Sequence, residues 1–135
     1  MSRWPLPVDS RLARGRRSEE LARAHLERQG FRIQAINVRF RVGELDIVAW
    51  DGPVLCFVEV RSCGSTFFGG ALATINRTKQ EHLLQAARWY LRRLTTQPEQ
   101  VRFDAVTVDW SEASPRLELV RGAFDAGNLA ERSWL

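Results

Sequence analysis

The chain has no apolar run approaching the roughly 18 residues that a membrane-spanning helix needs, which argues against a bilayer crossing. The N-terminus carries Arg3 but lacks the apolar stretch of a secretory signal. Cysteine is scarce. Cys56 and Cys63 are too few for a disulfide scaffold, and Cys56 lies inside an apolar segment, so a reduced, cytoplasmic setting is expected. Histidine is equally sparse, and His25, His82 and the two cysteines show no zinc-type spacing. Lysine is almost missing: of twenty basic residues only Lys79 is not arginine, a bias as much compositional as functional. With 135 residues, 44% of them hydrophobic, there is enough material for one compact domain and too little for two.

What charge there is lies unevenly. The net charge is +4, but residues 1–43 hold ten arginines against four acids, a surplus of six, so the other 92 residues are net −2. A cationic N-terminal third on a slightly acidic body suits a polyanion such as DNA or RNA, although a solvated arginine-rich surface would look the same.

Residues 1–14, with two prolines and no sustained period, read as a flexible basic arm. Ser18 with Glu19 and Glu20 behind it predicts a helix start, and Gly30 a stop just after Gln29. Alternation then takes over. Ile33, Ile36, Val38 and Phe40 predict one strand, residues 44–50 a second, and the Asp51-Gly52-Pro53 turn a hairpin into a third strand at 54–61. The third strand is apolar almost throughout, as a central strand covered on both faces should be. Residues 62–70, with Phe67-Phe68 and several glycines, read as a loop that could be either a lid or a plain connector. A helix is predicted over 77–94, with Trp89 in its core pattern, then a strand over 101–110 and a short edge strand over 117–120. The fold class is therefore α/β, a central mixed sheet flanked by helices in the order α-βββ-α-β-β. The domain spans 15–125, and 126–135 form a C-terminal tail. Trp50 and Trp110 end strands, while Trp4 and Trp134 lie near the termini, where partner contact or base stacking is conceivable.

Two charges interrupt the central strand. Glu59 and Arg61 are two apart and so share a face, and Asp46 interrupts the neighbouring strand between Leu45 and Ile47. A charge on a covered face is costly unless it is paired or bound to a metal. The hairpin can bring Asp46 to Glu59, and two carboxylates beside a cation suit a hard ion such as Mg2+ or Mn2+, which would activate water and stabilise charge on a phosphate. The same residues could equally form a buried ion-pair network. Glu19 has two readings as well: an ordinary first-turn acid, or a further carboxylate of the site.

The segments GRRSEELA (15–22), GELDIVA (43–49), FVEVRS (57–62), the stretch from Gly69 to Lys79-Gln80, and RFDAV (102–106) occur in one order. Together, over about residues 15–125, they resemble the YraN-like family of uncharacterised bacterial proteins. That family is similar to the archaeal Holliday junction resolvases and has the restriction-endonuclease-like fold. The resemblance implies that Asp46 and Glu59 are the two metal-binding acids, with the Val60 carbonyl as a further ligand and Glu19 completing the site. It sets Arg61 where the nuclease motif usually has lysine, and it sets Lys79 and Gln80 at the start of the second helix, suited to a phosphate or the attacking water. Ser18 stands in place of a usual glycine. Arginine clamps a phosphate well but cannot serve as a base, so Arg61 bears on whether catalysis survives.

The function these features imply is a Mg2+- or Mn2+-dependent endonuclease acting on DNA, including branched or recombination intermediates, with Arg16, Arg17, Arg39 and Arg41 on backbone phosphates. The resolvases act as dimers, which raises a homodimer here too. The rival readings are a catalytically inactive nucleic-acid-binding module and an interaction protein whose charged cluster is structural.

Overall fold

A computed structural model describes residues 10–63 and 71–125. Helix α1 covers Ser10–Arg28, and strands β1 (Arg32–Phe40), β2 (Gly43–Asp51) and β3 (Val54–Cys63) follow. A single 3₁₀ turn at Ala71–Thr74 leads into helix α2 (Arg77–Arg92), and β4 (Gln100–Asp109) and β5 (Arg116–Phe124) close the chain. The order is the α-βββ-α-β-β expected of a restriction-endonuclease-like domain. The strands form one five-stranded sheet in sequence order. β1, β2 and β3 are antiparallel, β3 and β4 are parallel, and β5 returns antiparallel along β4. Because parallel neighbours need a crossover, α2 supplies it and lies across one face.

Each face of the sheet buries its own core. Against α2 sit Leu45, Val48, Leu55, Phe57, Phe103 and Ala105, closed by Leu83, Ala86, Ala87, Tyr90 and Leu91 of the helix. Against α1 sit Ile47, Ala49, Cys56, Val58, Val106 and Val108, closed by Ala22, Leu26 and Phe31. The alternation of neighbours between the two clusters explains why β3 is apolar almost from end to end.

Four expectations need correction. The first helix starts at Ser10, not Ser18, because the leucine, alanine and arginines before Ser18 are good helix formers and extend it. Residues 10–14 are thus helical and not an arm, while residues 1–9, Trp4 included, lie outside the described residues. Ser18 is no cap. It is buried in mid-helix, and its Oγ accepts from Trp110 Nε1 at 2.9 Å, pinning α1 to the end of β4. Trp89 is 47% exposed and not in the core, since the buried positions of α2 turn the other way; the Arg92 guanidinium covers its ring at 5.0 Å. The last strand is an edge strand as expected, but nine residues long. Loop residues 64–70 and the tail 126–135, with Trp134, lie outside the described residues.

Candidate active site

The site begins where β2 and β3 stop pairing. Their register runs from Asp51↔Val54 to Ile47↔Val58 and ends there. One step further in the same register Asp46 stands opposite Glu59, on a common face. Beyond the last β2–β3 pair the Val60 N–H has no backbone partner on β2 and donates instead to Asp46 Oδ2 at 2.9 Å. That amide is what the structure shows of Val60's part in the site.

β1 and β2 are irregular at the same level. Leu45 packs on the α2 side and Ile47 on the α1 side, although a regular pleat would give both the same face. On β1, Asn37 lies between Ile36 and Val38, which pair with Ile47 and Leu45, and it has φ 50°. Asparagine tolerates this left-handed backbone better than most residues. The slip of the pleat at Asn37 and Asp46 is thus built into both strands. Gly43, at the start of β2, is needed for a different reason: a Cβ there would lie 3.2 Å from the His82 carbonyl oxygen of α2.

Glu59 is 3% exposed. Its Oε2 takes the Lys79 ammonium at 3.1 Å and Arg61 Nη1 at 3.3 Å, while its Oε1 is buried without a hydrogen-bond partner. Arg61 also donates from Nε to Thr74 Oγ1 at 2.6 Å, tying the strand to the 3₁₀ turn before α2. Lys79 is aimed by its helix: Asn76 caps α2, its side chain accepting the Lys79 N–H at 2.9 Å. Burial, and after it the charge of Glu59, pushes the Asp46 carboxyl up to about 8. Two acids that meet with only acceptor oxygens between them can share a proton or a cation, and little else.

Of the expected site residues, Asp46, Glu59, Arg61 and Lys79 converge. Glu19 stays at longer range. Its carboxylate accepts from the Asn37 side chain, and burial, then the charges of Glu44 and Glu59, raise its pKa. Glu19 is also not a first-turn acid, since α1 begins a full nine residues earlier. The Gln80 side chain donates to the Ile75 carbonyl at 3.1 Å, bracing the start of α2. Arg16, Arg17, Arg39 and Arg41 are all exposed, and Arg39 Nε lies 3.4 Å from Glu44. Sequence reasoning missed three residues: Asn37, Thr74 and Asn76. Only Asn76 carried a signal, as a favoured capping residue directly before a predicted helix.

The two carboxylates fit a divalent ion. No other side chain or amide donates to the buried Glu59 Oε1, and burial beside Glu59 favours a proton shared with Asp46, which such an ion would displace. Among the described residues no three His, Cys, Asp or Glu side chains gather to hold an ion. Magnesium is commonly held by one or two carboxylates, with waters and substrate phosphates completing its shell.

The fold and this strand-end cluster define an α/β protein with two acids, Asp46 and Glu59, brought together where β2 and β3 part. A profile of the Uncharacterised protein family UPF0102, the YraN-like proteins, matches residues 18–108, and the chain belongs to that family. It is 48% identical over 116 residues to the UPF0102 protein of Anaeromyxobacter sp. (strain Fw109-5), covering 85% of this chain and 86% of that one. It is 45% identical over 118 residues to the UPF0102 protein of Pseudomonas aeruginosa (strain LESB58), covering 84% and 93%. A UPF0102 protein of Desulfosudis oleivorans is 38% identical over 123 residues, covering 91% and 98%. No described helix is long and apolar enough to cross a membrane.

Proposed function

We propose that this protein is a divalent-metal-dependent phosphodiesterase acting on nucleic acid, with DNA as its substrate. The observation that carries the reading is the pair Asp46 and Glu59, set opposite each other just past the end of β2–β3 pairing, with Glu59 Oε1 lacking any donor. Asp46 and Glu59 would hold Mg2+ or Mn2+, which would supply charge neutralisation and polarise a phosphoryl oxygen. Lys79, one-third exposed with its ammonium 3.1 Å from Glu59, is placed to meet a phosphate or orient a water. Arg61 holds Glu59 and the turn at Thr74 together. The lysine missing from position 61 thus has a counterpart from α2. Exposed Arg16, Arg17, Arg39 and Arg41 supply charge for a phosphate backbone, which makes binding steeply dependent on salt.

The test is cleavage of single-stranded, duplex, flapped and branched DNA with Mg2+ or Mn2+. Wild type should cut at least one of them, and Glu59→Gln should lower the rate by about a hundredfold or more. Activity that survives Glu59→Gln would overturn the proposal. A second reading, a binding module without catalysis, draws on the fact that Arg61 and Lys79 both already lie on Glu59. DNA binding by wild type with no cleavage under any metal would favour it.

A further inference from the structure

Between α1 and the β1–β2 hairpin runs a cleft of about 260 Å³, lined by Arg16, Glu19, Glu20 and Arg23 on one side and Ile36, Asn37, Asp46 and Ile47 on the other. Its helical wall is the i, i+3, i+4, i+7 row of α1, one continuous face. Arg16 and Arg23 stand at the ends of that row, roughly 10 Å apart along the axis. Neither has an ion-pair partner among the described residues. The acids occupy the middle of the row and the floor, so an anion is disfavoured there and favoured at the two ends. Facing them, Ile36 of the edge strand β1 is an apolar side chain that is 42% exposed. The volume lies just under that of ordinary small-molecule pockets, far too small for a duplex.

We infer that this cleft seats one unpaired nucleotide of a single strand, with Arg16 and Arg23 on the flanking phosphates and Ile36 against the base. Cationic side chains that track the backbone are how proteins hold single strands without reading sequence, and Ile36 offers an apolar surface to the base where such proteins often place an aromatic ring. The inference rests on the phosphodiesterase reading, because the cleft opens onto Asp46 and so places the strand beside the proposed reacting centre. It gives the enzyme a substrate class: a strand unpaired at the cut. Arg23 and Ile36 become its specificity-determining residues.

The test is fluorescence anisotropy of the full chain with a labelled short oligothymidylate and with a labelled duplex, both with calcium in place of magnesium. Single strand should bind more tightly than duplex. Arg23→Ala should weaken single-strand binding about tenfold, the scale of one lost charge-assisted contact. Ile36→Ser should weaken it severalfold, and Arg92→Ala on α2 should leave it unchanged. Both cleft variants alter exposed side chains, and circular dichroism checks that they fold. Equal binding of duplex, or unchanged single-strand binding in Arg23→Ala and Ile36→Ser, would overturn the inference. If wild type still cuts DNA in that case, the phosphodiesterase reading stands without the cleft. If nothing is cut but the cleft variants selectively lose single strand, the cleft stands without the enzyme.

Discussion

The two ends of the β2–β3 pairing each have a β2 acid beside them, and the surroundings of the two are opposite. At the far end Asp51 meets Arg102 Nη2 at 2.7 Å and Arg121 Nε at 3.0 Å. Arg102 grips the fully buried Asp104 with two bonds of 2.8 and 2.9 Å, and the Gly122 N–H donates to the same carboxylate at 2.9 Å. Hydrogen bonds from Arg102, and secondarily from Arg121, hold the Asp51 carboxyl below its ordinary range. At the near end Asp46 is pushed up to about 8 and Glu59 Oε1 has no donor. Buried carboxylates alone therefore do not mark a reactive site in this sheet. Those around Arg102 are closed off by arginine and amide donors and act as a clamp between β2, β4 and β5. Those at the fork where β2 and β3 part, Asp46 and Glu59, are short of donors, and that deficit is what a cation would fill.

The largest break in this comparison should come from Asp104→Ala. It leaves Arg102 half paired and the Gly122 N–H without its acceptor, and should cost about 3 kcal/mol in urea unfolding, in keeping with removal of one partner from a buried pair. Loss below 1 kcal/mol would mean that the clamp is not structural. Metal binding at the fork should be unchanged in whatever fraction folds.

Asp46→Asn should act in the opposite direction. With the Asp46 carboxyl pushed up to about 8 from its ordinary 3.8, the native state holds an extra proton between those values. Stability from this group is then fully present below about pH 4 and declines as pH rises toward 8 in metal-free buffer. Asp46→Asn should remove that slope and raise stability at pH 8 by roughly 2 kcal/mol, while losing any stabilisation by Mg2+. For wild type, Mg2+ should raise Tm more at pH 8 than at pH 5, because at pH 5 it must displace the proton. Thermal unfolding at the two pH values, with Mg2+ and with chelator, checks each part. A pH-independent Mg2+ effect would separate the ion from this pair.

Arg61→Lys sharpens the question of the missing motif lysine. Arg61 uses two arms of its fork, one on Thr74 and one on Glu59, and an ammonium on a flexible stem cannot reproduce that geometry. With Lys79 already on Glu59, the substitution should lower cleavage about threefold and not raise it. A tenfold gain would show instead that arginine is a handicap and that Lys79 does not stand in for it.

The sequence made this fork legible for a specific reason. Asp51-Gly52-Pro53 fixes the hairpin register, and once that is fixed Asp46 has to oppose Glu59. The mixed sheet was legible in the same way, from alternation and from the length of the segment between β3 and β4. What stayed hidden depends on contacts between distant segments. Ser18 looks like a cap until Trp110, 92 residues away, reaches its hydroxyl. Lys79 can be put on a helix from sequence, but its reach to Glu59 depends on where the Asn76 cap and the Thr74 turn leave that helix. Asn37 shows no period at all, because its left-handed φ answers a slip of the pleat shared with β2.

Trp89 gives the smallest expected effect and a direct test of how far helical spacing can be trusted. Its neighbours Ala86, Ala87, Tyr90 and Leu91 are buried against the sheet, whereas Trp89 itself is 47% exposed with Arg92 over its ring. A core tryptophan truncated to a small residue would cost about 3–5 kcal/mol. An exposed one that loses only partial burial and a surface cation–π contact should cost about 0.5–1 kcal/mol. Trp89→Ser should therefore shift the urea midpoint only slightly, with an unchanged m-value and unchanged DNA binding, because α2 presents this side chain away from both the fork and the cleft. A loss near 3 kcal/mol would mean that α2 is rotated on the sheet, and with it Lys79, so this small change also probes the placement on which the site depends.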